Sequence, residues 1–163
     1  MEINELYLRT AFACMSSDGD IAKEEVALIE KMNNEDHLFG DINLTQRLEV
    51  LLTEINEQGL GFMKKFIDEL SKQNLSIEEE LQLLTIAAKT IYADNKVEYS
   101  EVKFFKLIRS CLKKVDNQTI LNSIEEIDEN WVEEDIVCDN DLLYVSYSKN
   151  VEMKLFDLSV INN

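Results

Sequence analysis

The residues of this chain best placed to do chemistry are seven carboxylates at related spacings. Asp18, Asp20, Glu24 and Glu25 lie in SSDGDIAKEEV (16–26), and Asp94, Glu98 and Glu101 in YADNKVEYSEV (92–102). Their oxygens are hard ligands of the kind that Ca²⁺ and Mg²⁺ take. Two such turns set side by side would share one ion, or build one acidic patch for a basic protein surface. The spacing is not that of an EF-hand, which needs glycine at the sixth loop position and glutamate at the twelfth. Counted from Asp18, Gly19 is second and Ile29 is twelfth.

The same residues also have a purely structural use. Asp18-Gly19 and Asn95 supply residues able to take positive φ and stop a preceding helix. Ile21 and Val97 would then plug each turn against the core. Glu25 and Glu101 fall near the third position of the next helix, where a carboxylate meets unpaired N–H groups and the positive end of the macrodipole, for about 0.3–1 kcal/mol each. Ala22 and Glu98 are poor N-caps, so half of a capping box is expected.

Catalytic constellations are scarce. The single histidine, His37, stands in NNEDHLFG with no serine or cysteine at a dyad-like spacing, and no glycine-rich phosphate loop occurs. Carboxylates in exposed turns keep ordinary acidities, which suits them poorly to paired acid–base work. Cys14 and Cys111 fall on apolar helix faces and are expected to be buried and inert. The expectation is a protein that is not an enzyme.

The elements that must position these acids are helices. Proline is absent and glycine occurs four times in 163 residues, so linkers and hairpin turns have little to build on. Apolar residues recur at helical spacing in Leu8, Ala11, Phe12, Met15; in Leu48, Leu51, Leu52, Ile55; in Met63, Phe66, Ile67, Leu70; in Leu84, Ala87, Ala88, Ile91; and in Ile120, Ile124, Ile127.

Shifting the chain by 76 positions against itself superposes Leu8 on Leu84, Ala11 on Ala87, Met15 on Ile91, Asp18 on Asp94, Glu25 on Glu101 and Met32 on Ile108. The same shift carries Leu48, Leu51 and Ile55 onto Ile124, Ile127 and Trp131. Such self-similarity predicts a mainly α bundle of two pseudo-repeated three-helix halves, about 3–57 and 79–131, joined by a helix at about 60–72. From about Asp135, LLYVSYS and VEMKLFDLSVI turn β-branched and aromatic. Residues 132–163 are therefore expected to form a C-terminal appendage of the same compact unit, either a short β-hairpin about Ser148-Lys149-Asn150 or a helix through Val151, Leu155 and Leu158.

An apolar helix running into Ala-x-x-Asp-Gly-x-Ile-x-x-x-Glu, repeated in tandem, resembles the TerB-like family of tellurite-resistance proteins and related helical domains. The matching residues are Ser17, Asp18, Gly19, Ile21, Glu24 and Glu25 in the first copy, and Ala93, Asp94, Val97 and Glu101 in the second, within residues 1–131. The resemblance implies an internally pseudo-symmetric helical domain in a bacterial stress response. It also implies acidic residues that bind a metal or a protein partner, and no enzymatic activity. The second turn departs from the pattern in having Asn95-Lys96 where a Gly-acidic pair is usual.

Charge narrows the partners. Thirty-three acids against sixteen lysines and arginines leave −17, which repels nucleic acid and anionic lipid and attracts divalent cations and basic protein surfaces. Nine acids and no base lie between Glu125 and Asp141, around Trp131. An acidic inhibitor or immunity-type protein that occupies a basic surface of its target is therefore the alternative reading. Lys103, Lys106, Arg109 and Lys113 share one helix side, as a solvated face or as a docking face for acid, the chain's own included. Three unpaired-pattern cysteines and a start without a basic, apolar leader point to the cytoplasm.

Overall fold

Helical periodicity carries through to the tertiary structure, a computed structural model that describes residues 2–17, 21, 23–93 and 95–133. Seven α-helices appear there in chain order: α1 (Ile3–Ser16), α2 (Lys23–Asp36), α3 (Leu44–Gln58), α4 (Leu60–Ser71), α5 (Ile77–Ile91), α6 (Tyr99–Cys111) and α7 (Asn117–Ser123). A single 3₁₀ turn follows at Glu129–Trp131. No strand occurs among the described residues, and no helix there is long and apolar enough to cross a membrane. The hairpin-or-helix appendage lies almost wholly outside the described residues.

The centre of the fold is the pair α1 and α5, which pack on each other more extensively than any other two elements. From Leu6 to Ser16 only Arg9 escapes full burial in α1, and a helix buried nearly all round must be apolar or must satisfy its own polar groups. Thr10 and Ser16 do so by donating to the carbonyls of Leu6 and Phe12, each at 2.8 Å. In α5, Thr90 donates to Ile86 at 2.7 Å in the same way. Small residues at Ala11, Ala13, Ala87 and Ala88, all buried, leave room for the other elements to close in.

Around this pair, α4 packs on α1, α3 and α6, while α6 also contacts α5 and the 3₁₀ turn. Phe12 meets Phe62 edge-on at 5.8 Å, and Phe105 meets Trp131 edge-on at 5.2 Å. Burial of one such aromatic side chain contributes about 1.5–3 kcal/mol. Trp131 is thus a core residue.

Chain turns are set by local chemistry. Ser76 and Glu79 form a reciprocal capping box at the start of α5, with bonds of 3.1 and 2.9 Å. Gly59 joins α3 to α4 at φ +54°, ψ −125°, a region that side chains exclude. Glu80, buried in the first turn of α5, accepts the backbone N–H of Lys114 and of Val115, both at 3.0 Å. Arg109 answers from α6, donating to the carbonyls of Leu112 and Val115 and to Asn117 Oδ1.

Several expectations need correction. Ile120, Ile124 and Ile127 are all buried, but they do not share a helix. The chain turns extended at Ile124 and re-enters only as the 3₁₀ turn, where Asp128 accepts from Asn130 N–H at 2.9 Å. The short α7, NQTILNS, carries poor helix formers, and the clustered acids Glu125, Glu126, Asp128 and Glu129 give it no reason to continue. The second half therefore has no third helix to match α3. Lys113 lies beyond the end of α6, and Arg109 serves as a clamp on the following loop instead of standing as a solvated charge. Cys111 is only partly buried.

Candidate functional site

The first turns of α2 and α6 place two of the seven acids in equivalent positions. Glu25 is the third residue of α2 and Glu101 the third of α6, and each is only 5% exposed. Glu101 Oε1 accepts the backbone N–H of Glu98 at 2.8 Å. Glu98 and Glu101 thus form a reciprocal capping box, more than the half box expected from the sequence, and it holds the Glu101 side chain back over its own helix terminus.

Both carboxylates bear on one atom. The Cys14 thiol, fully buried near the end of α1, is pushed well above its ordinary pKa first by burial, then by the charge of Glu101 and of Glu25. A negative neighbour disfavours the thiolate, as does loss of water. Two helices from distant parts of the chain therefore bring charge from their first turns to bear on one thiol near the end of α1. The Ser17 hydroxyl closes that end by donating to the Cys14 carbonyl at 2.9 Å.

The remaining acids divide clearly. Glu24 and Glu98 are exposed beside these buried glutamates. Asp18, Asp20 and Asp94 lie outside the described residues. Among the described residues no group of three or more His, Cys, Asp or Glu side chains is arranged to hold a metal ion, so these residues by themselves do not make a Ca²⁺ or Mg²⁺ site.

Asn95 takes positive φ (+60°), as its residue type suggested, and its N–H donates to the Tyr92 carbonyl at 3.0 Å. Ile21 is partly buried against the core. Val97 is not its counterpart: it is 37% exposed and plugs nothing. Tyr92 and Tyr99 stand exposed on either side of it. Sequence reasoning missed this apolar surface, because aromatic and β-branched residues at turn edges read as core. His37 is exposed with φ +50°, a turn residue in a loop that buries Phe39.

No protein-family model matches this chain, and neither a curated protein nor a solved structure matches it.

Proposed function

We propose that this chain is a non-enzymatic, cytoplasmic accessory protein of a bacterial stress or tellurite-resistance-type response. In this reading it is TerB-like, and its acidic inter-helix turns bind a basic protein partner or a divalent cation of the Ca²⁺ or Mg²⁺ class. The observation that carries the reading is the convergence of Glu25 and Glu101 on Cys14. Two helices whose third-position glutamates both act on one thiol can present their preceding acids to one partner, and Glu24 and Glu98 beside them are exposed. Buried Glu25 and Glu101 orient the turns, and the acids at Asp18, Asp20 and Asp94 supply the binding charge.

The pseudo-repeat belongs to the same proposal. It is supported by α2 and α6 beginning 76 positions apart, at Lys23 and Tyr99. The shared burial of Leu8 with Leu84, Ala11 with Ala87, Met15 with Ile91 and Ile29 with Phe105 supports it further.

Calorimetric titration of Ca²⁺ and Mg²⁺ into chelator-stripped protein tests the cation arm. Near-stoichiometric binding abolished by Asp18→Asn with Asp94→Asn, in a variant that stays folded, is the expected result. Weak binding that neither substitution changes would eliminate the cation. The basic partner would then be the arm to pursue. The acidic-inhibitor alternative draws on the charge of −17, and it differs in requiring binding that needs no metal and weakens steeply with salt.

A further inference from the structure

Apolar exposure gathers at the two ends of α5. Of the five large hydrophobic residues exposed among the described residues, Ile77 (48%) is the first residue of α5, while Tyr92 (41%), Val97 (37%) and Tyr99 (67%) follow its last turn. Fifteen residues separate Ile77 from Tyr92, about 22 Å along the helix axis. At 100° per residue they return to within about 60° of one direction, so the two lie on the same side of α5. One chain cannot bring its own two ends together.

The ends differ in charge. Beside the tyrosines stand Lys103, whose Nζ lies 4.5 Å from the centre of the Tyr99 ring, and the exposed Lys89, one turn before Tyr92. A lysine stacked on a ring keeps its charge at an aromatic surface. The exposed acid of this patch, Glu98, is drawn into its capping box with Glu101. Beside Ile77 stand the exposed Glu78 and the partly buried Glu79, whose carboxylate accepts the Ser76 N–H at 2.9 Å. Two bases stand near this end, and both are engaged: Lys72 by Asp68, and Lys114 by Asn74 and the Leu75 carbonyl. An apolar knob beside acid and an apolar patch beside bases are complementary. Each copy of the chain carries one of each.

We propose that a second copy of this chain seats its Ile77–Glu79 end on the patch of Tyr92, Val97 and Tyr99, with Glu78 meeting Lys103 and Lys89. Such a contact joins unlike surfaces, so it propagates head to tail into a ring or an open row instead of closing as a pair. The net charge of −17 opposes the approach at long range, but physiological salt screens that repulsion beyond about 8 Å and leaves groups in contact attracted. The patch is small, and the association is accordingly weak. It requires neither a cation nor another protein, so its test stands apart from that of the proposed function.

Sedimentation velocity of the full chain in about 150 mM salt, from about 10 µM to about 1 mM protein, tests it. The weight-average mass is expected to rise with concentration and to pass that of two chains. Glu78→Lys and Lys103→Glu should each weaken association about fivefold. The double variant keeps the wild-type net charge with the pair reversed, and it should recover the loss. Val97→Ser, outside the helices, supplies a further variant with the same expected loss, and far-UV circular dichroism checks that each variant folds. Repulsion by net charge alone predicts stronger association for Glu78→Lys, and that outcome would overturn the proposal. So would a wild-type chain that stays monomeric to about 1 mM, a dimer that Glu78→Lys leaves intact, or a double variant no better than the single ones.

Discussion

Cys14 is the residue at which burial, charge and the two halves of the chain meet. Its thiol is held protonated in the folded state by loss of water and by Glu101 and Glu25. In the unfolded chain it ionises near pH 8.5. The sign follows from proton binding: above that pH the unfolded state has lost a proton that the folded state keeps, so unfolding becomes easier as pH rises. Stability is expected to be unaffected by this group below about pH 8 and to fall progressively above about pH 8.5. Urea unfolding of wild type and Cys14→Ala between pH 7 and 10 checks this, the variant showing the shallower decline. Cys14 is further expected to resist a thiol reagent until the protein unfolds, while the partly exposed Cys111 reacts in the native state. At the second turn, Asn95→Val should cost about 1–2 kcal/mol by forcing a β-branched residue to positive φ. Asn95→Gly should be near neutral, and chemical denaturation distinguishes the two.

At the scale of elements, helix ends do more than helix interiors to fix the arrangement. Glu80 joins the start of α5 to the loop after α6 through two backbone N–H groups. Glu80→Ala removes both acceptor contacts and is expected to destabilise the fold by about 2–4 kcal/mol, with Glu80→Gln recovering part of the loss because its amide oxygen still accepts. The clamp made by Arg109 lies on the same loop, so Arg109→Ala combined with Glu80→Ala should cost less than the sum of the single changes. A double-mutant cycle measures that coupling. Gly59→Ala, at the junction of α3 and α4, should cost about 1–3 kcal/mol because its backbone region admits glycine alone.

For the whole molecule the excess of acid dominates. A charge of −17 sets the surface against itself, and only four ion pairs link described residues within 4 Å, two of them sharing Glu5 with Arg9 and Arg47. Added monovalent salt is therefore expected to raise the melting temperature, since screening relieves repulsion that so few pairs do little to offset. A thermal series from about 20 to 500 mM NaCl tests the direction. The helical character of the chain was legible in its sequence. Stripes such as Leu8-Ala11-Phe12-Met15 and Leu48-Leu51-Leu52-Ile55 are buried as their spacing required, because helix geometry maps sequence separation directly onto one face. The third-position glutamates were legible for the same reason, helix starts being written in local residue types. Tertiary structure alone decided that the charges of Glu25 and Glu101 act on a common thiol, that Arg109 clamps a loop, that Val97 is exposed, and that Ile124 leaves the helix its spacing suggested. Those outcomes depend on packing between segments many residues apart, and local periodicity carries no information about which distant surface will be there to meet a side chain.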